Sequence, residues 1–266
     1  MSRFTPAEIN RYFPVIGVVV FPGGVEVQRG CNVSFGVMKK NGLRGVIKVV
    51  NKRSMNKLAL LVRSCGVTFR SVMTLSYGVN YPLSGRQAKR DLNHFLVASR
   101  RIFGEFEYVW VMEFQQRGAI HFHLACTLAP PTEMDRVLFA RCWQGISTPF
   151  SWSYCRLDTR KAYWQRGGEF WTDDTVFEVH AHRKSWEAVR KYDGVGRYFA
   201  KYANKLRQKK VPDSLVDVGR FWGHSRGAKM PDGERYWGTD GDVRELALQS
   251  GRDLSQWEVL PKIILL

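Results

Sequence analysis

Apolar residues along the chain follow two different periods, and the switch between them separates strands from helices. In the first fifty residues the β-prone runs Val15 to Phe21, Val25 to Gln28 and Val46 to Val50 are divided by glycine turns. Leu58, Leu61 and Val62 then mark one face of a helix over 54–63, with Ser54 as its N-cap. Phe69 to Tyr77 reads as a strand. Residues 85–103 carry a helical pattern with Leu92, Phe95, Leu96 and Ile102 on the buried side. Two strand-like runs follow within Tyr108 to Leu128, joined by a Gln-Arg-Gly-Ala hairpin turn. Thr132 and Glu133 open a helix to Gln144, with Met134, Val137, Leu138 and Trp143 as its apolar stripe. Thr175 to His182 is expected to be the closing strand. The order β-α-β-β-α-β predicts an α+β fold, a ferredoxin-like or RRM-like antiparallel sheet with helices packed on it.

Other stretches are less periodic. Residues 145–173 mix Gly, Ser and Pro with seven aromatics, which suit either a base-stacking surface or a satellite apolar cluster. A basic helix is expected over 185–210, a strand over 216–222 and a short helix over 242–248, before a terminal Ile-Ile-Leu-Leu. The expected organisation is a basic, strand-rich extension over 1–60, a catalytic domain over 61–223 and a tail over 224–266.

Alternation gives the central hairpin its chemistry. Side chains two apart on a strand share a face, so His121 and His123 project together. Glu113 lies on the preceding strand. A two-residue turn would set it opposite Phe122 and away from the histidines; a three-residue loop or a bulge is expected instead, with Glu113 opposite His123. Two imidazoles and a carboxylate suit a divalent cation, with Mg²⁺, Mn²⁺ and Zn²⁺ all open. A second pair, His180 and His182, lacks such a carboxylate context and is read as a decoy.

Composition narrows the partner. Lys and Arg number 41 against 24 Asp and Glu, a formal charge of +17, which calls for an anionic polymer. With 9 Trp, 10 Tyr and 16 Phe, single-stranded nucleic acid is the expected one. Five cysteines without a Cys-x-x-Cys indicate neither disulfides nor a zinc cluster, and read as free thiols in a reducing cytoplasm. No apolar run is long enough to span a bilayer, and no signal cleavage site is evident.

Charge concentrates between Arg183 and Lys210, where ten Lys or Arg face only Glu187 and Asp193. Helical spacing there puts Tyr198, Lys201, Tyr202 and Lys205 along one face. A phenol becomes a competent nucleophile when a cation or metal stabilises its oxyanion.

Glu113-x-Gln115-x-Arg117-Gly118-x-x-His121-Phe122-His123 resembles the second motif of the HUH-type endonucleases that initiate rolling-circle replication. Thr74-Leu75-Ser76 resembles their first motif, with Ser in the last place, and Tyr198-x-x-Lys201-Tyr202-x-x-Lys205 resembles the third motif of the two-tyrosine phage and plasmid initiators. The resemblance implies that His121, His123 and Glu113 hold Mg²⁺ or Mn²⁺. It implies that Tyr198 and Tyr202 attack DNA beside Lys201 and Lys205. It implies that Thr74, Ser76, Gln115, Arg117 and Arg197 bind DNA. The expected product is a 5′-phosphotyrosine and a free 3′ hydroxyl on single-stranded origin DNA, used by a host DNA polymerase. No G-x-x-x-x-G-K-[ST] occurs, so a host helicase is the expected source of unwinding. A conjugative relaxase, a single-strand transposase and a non-catalytic RRM-like binder stay open as alternatives.

Overall fold

The computed structural model describes residues 16–22, 24–28, 47, 50–148, 176–189, 195, 199, 210–216, 218–251, 253 and 263–265. The chain divides into two compact units, one drawn from Met1–Gly45, Asn51–Gly66 and Lys229–Leu266, the other from Val46–Val50 and Val67–Ala228. No helix among the described residues is long and apolar enough to cross a membrane.

In the first unit, β1 (Ile16–Phe21) and β2 (Gly24–Gln28) form an antiparallel sheet with β8 (Glu234–Gly238) and β9 (Ile263–Leu265), in the order β8-β1-β2-β9. The N-terminal extension and the C-terminal tail thus share one sheet, and the terminal apolar run is an edge strand of it. Val18 and Val27 stand opposite one another across β1 and β2. They pack with Val25, Ile264 and the buried Val243 and Ala247 of α5 (Asp240–Gln249). Glu26 meets Arg53 and Lys57 of α1 (Lys52–Ser64), at 3.5 and 3.2 Å. The cap of α1 is Asn51, whose side chain accepts from the Ser54 N–H, rather than Ser54 itself.

The second unit carries the expected α+β topology. Its five strands are β3 (Ser71–Ser76), β4 (Tyr108–Phe114), β5 (Ile120–Cys126), β6 (Trp186–Ala188) and β7 (Trp222–His224), in the order β6-β3-β5-β4-β7 with every pairing antiparallel. The first four have the split order of a ferredoxin-like sheet; β7 is added beside β4. Two helices, α2 (Gly85–Phe103) and α3 (Glu133–Ser147), pack on the face that carries Leu75, Phe122 and Trp110. A Phe95, Phe139 and Trp143 edge-to-face cluster joins them, and Trp186 stacks its edge against Phe103. Thr132 caps α3 in a reciprocal box with Asp135, whose carboxyl is held below the usual carboxylate range by those hydrogen bonds.

Three sequence-based expectations change here. The stripe of α3 is Phe139, Ala140 and Trp143, while Met134 and Leu138 face solvent; Ile102 of α2 is likewise exposed. Residues expected as the closing strand are instead α4 (Val176–Ala181). Val176 and His180, four apart, are its buried pair, and the place beside β3 is filled by β6. The strand expected over 216–222 is confined to β7, because Gly219 takes φ +62° and turns the chain first.

Candidate active site on the sheet face

Strand register assembles the motif residues. Thr74 lies opposite His123, and Ser76 opposite His121. On the other side of β5, Val111 lies opposite His123 and Glu113 opposite His121. Pleating puts Thr74, Ser76, Glu113 and both histidines on the sheet face away from α2 and α3. Glu113 therefore occupies the expected face but a different partner position. The reason is the hairpin: Gly118 N–H donates to Gln115 O at 2.8 Å, Gln115 N–H to Ala119 O at 2.9 Å, and Gly118 has φ +87°. That is a three-residue Gln116-Arg117-Gly118 loop, which shifts the pairing by one step from a loop at 117–119.

Within this cluster the His121 and His123 ring centroids are 4.4 Å apart. Glu113 is 3% exposed and His123 6%, and His123 Nε2 lies 3.5 Å from Glu113 Oε2. A carboxylate so deeply buried requires a cation or donor beside it, and His123 stands there. The opposite ring nitrogen, Nδ1, is 3.2 Å from Thr74 Oγ1. Thr74 thus sets the plane of the His123 ring. His121 is the more open of the two rings, at the end of the face where burial relaxes.

The donor set is of the kind a divalent cation takes: two imidazoles and a carboxylate from neighbouring strands of one face. Among the described residues, no three His, Cys, Asp or Glu side chains stand in a metal-holding arrangement as placed. The fit to a cation is therefore one of donor chemistry and shared face.

The remaining residues expected at the site separate into two groups. Arg117 and Gln115 join the hairpin to the exit of β3. Arg117 donates to Tyr77 O at 2.5 Å, to Gly78 O, and through Nε to Gln115 Oε1 at 2.8 Å. Its guanidinium lies 5.4 Å from the Tyr81 ring centroid, and the Tyr81 hydroxyl donates to Arg117 O at 2.8 Å. These bonds hold the first and second motif strands together at the end where His121 and Ser76 face each other. Tyr198, Lys201, Tyr202, Lys205 and Arg197 lie outside the described residues, as do the aromatics over 150–171. Of the basic segment, Val195 and Phe199 are helical and buried.

A support that sequence reasoning missed is His180. It is fully buried; its Nδ1 donates to Val176 O at 2.6 Å and its Nε2 accepts the Ser76 N–H at 3.0 Å. Both ring nitrogens are used by the neutral form, and burial pulls its pKa down to about 4. The Ser76 carbonyl accepts from Trp143 Nε1 at 2.7 Å. The second His-x-His pair therefore anchors the end of β3 through one ring, while His182 lies at the surface side of the same turn.

A family model for replication-associated proteins of the ORF2 type matches residues 70–207, just over half of the chain. The match begins at the entry to β3 and includes Thr74, Glu113, His121 and His123. No curated protein and no solved structure gives a significant match.

Proposed function

The chain belongs to the ORF2-type family of replication-associated proteins, and from that premise we propose that it starts replication as a metal-dependent nicking and joining enzyme of the two-tyrosine HUH type. The observation that carries this reading is the register that unites Thr74, His123, Glu113 and His121 on one face. Those positions come from two motifs far apart in sequence, and a carboxylate buried among imidazoles serves no packing need that an apolar side chain would not meet better.

His121, His123 and Glu113 would hold Mg²⁺ or Mn²⁺, which when bound supplies Lewis-acid polarisation of a phosphodiester oxygen. The chain's own residues do the rest. Thr74 orients His123, while Arg117 and His180 secure the strand ends that carry the ligands. Tyr198 or Tyr202 is the nucleophile: its oxygen bonds to phosphorus, the bond from phosphorus to the 3′ oxygen breaks, and the 3′ oxygen leaves as a hydroxyl. Lys201 and Lys205 offset negative charge that develops on the phosphate. The second tyrosine can repeat the step at a later cleavage while the first still holds its 5′ end. Single-stranded origin DNA is the substrate, and a host helicase and DNA polymerase extend the freed end.

An end-labelled single-stranded origin oligonucleotide, incubated with and without Mn²⁺, tests this. The expected result is a protein-linked 5′ fragment that depends on metal. It is lost in the Tyr198→Phe, Tyr202→Phe double variant and reduced at least ~100-fold in His121→Ala, the upper range for losses at a metal site. Binding without cleavage in any divalent metal would instead favour an RRM-like role.

A further inference from the structure

A second groove lies on the helix-covered face of the same sheet, between α2 and the edge strand β7. Trp110 and Tyr108, which line it, alternate with Val109 and Val111 and so point away from the histidines. The cavity has a volume of about 310 Å³, at the lower end of small-ligand sites, roughly 300–1,000 Å³. Lys89, Asn93 and Arg220 supply its polar lining, and no carboxylate contributes to it among the described residues.

Two cations are held together here by the backbone. The Lys89 ammonium donates to Val218 O, one residue before the left-handed turn at Gly219. A Cβ on Gly219 would come within 2.9 Å of Lys89 Nζ, so the chain wraps closely around that charge. Burial, with repulsion from Arg220, lowers the Lys89 pKa to about 8. Like charges brought together and left without a carboxylate are a site for an anion. Beside them, the Trp110 indole lies against Gly223, where a Cβ would meet it at 2.8 Å. An aromatic edge, an exposed amide and paired cations match a base, its hydrogen-bonding groups and its phosphate.

We propose that this groove holds one nucleotide of a single DNA strand, with its phosphate between Lys89 and Arg220 and its base against Trp110 and Tyr108. The choice of nucleic acid as ligand rests on the replication reading above; the groove itself does not involve the metal ligands or the tyrosines.

The test uses the full chain and a short single-stranded oligonucleotide carrying 5-iodouracil, with EDTA present so that binding is scored apart from cleavage. Arg220→Gln and Asn93→Asp alter exposed side chains and leave the packed Lys89 in place. The expected result is binding weakened about 10-fold in each. For Arg220→Gln, the slope of log affinity against log salt should fall by about 0.7, one phosphate contact. Photo-crosslinks should map to Tyr108 or Trp110, and thymidine monophosphate should compete far better than inorganic phosphate. Unchanged affinity in both variants, or crosslinks confined to other peptides, overturns the proposal. So does equal competition by inorganic phosphate, which would make this a plain anion site. A parallel Mn²⁺ cleavage reaction on the wild-type chain scores the nicking reading separately.

Discussion

Thr74 and His123 face each other across β3 and β5, with the threonine hydroxyl 3.2 Å from the ring nitrogen that points away from Glu113. A single hydrogen bond between two motifs thus fixes the direction in which the imidazole presents its other nitrogen. Partners of this kind set ligand orientation and basicity, and their loss commonly costs roughly 10–100-fold in metal affinity or activity.

Thr74→Val keeps the side-chain shape and removes the hydroxyl. We expect a melting temperature unchanged within about 2 °C and a Mn²⁺ requirement for cleavage raised about 10-fold. A metal titration of the cleavage rate measures it. Equal metal dependence with lower affinity for DNA would assign the hydroxyl to DNA rather than to His123.

His180 makes stability pH-dependent. Its folded pKa of about 4 is below the ordinary value of 6.5, so the unfolded chain takes up a proton between these values and the folded chain does not. Its stabilising contribution is complete above pH 6.5 and is lost as pH falls through 4. Over that window the loss is on the order of 3 kcal/mol. Urea unfolding at about pH 7 and about pH 4.5 should show this drop in the wild type and a smaller one in His180→Gln.

Arg117 is expected to act through structure. Arg117→Lys retains the charge but cannot reach Tyr77 O, Gly78 O and Gln115 together. The expected loss is about 2 kcal/mol in denaturant unfolding, from charged hydrogen bonds given up at a partly buried site. Cleavage should fall with it even when DNA affinity at low salt is retained. Gly118→Ala should cost about 1 kcal/mol, since its φ of +87° disfavours any side chain.

Gly223→Ala examines how β7 is fitted to the sheet. The added Cβ would sit 2.8–2.9 Å from the rigid indole of Trp110. Either the ring or the edge strand must move. We expect a loss of roughly 1–3 kcal/mol, as for other overpacked sites, measured by thermal or urea unfolding.

Much of this was legible in the chain itself. Period-2 alternation put His121 beside His123 and Thr74 beside Ser76, and the Thr132 cap and the glycine at 118 marked where a helix begins and a hairpin turns. These are local properties, fixed by side-chain direction and backbone sterics within a few residues. The pairing of Thr74 with His123, the seat of Glu113 opposite His121, and the joining of both chain ends in one sheet were decided only by tertiary structure. So was the helix at Val176–Ala181, where burying Val176 and His180 together outweighed an alternating pattern that also fits a strand. Register and burial depend on hydrogen bonds and packing between segments distant in sequence, and a local period carries no record of which neighbour will be there.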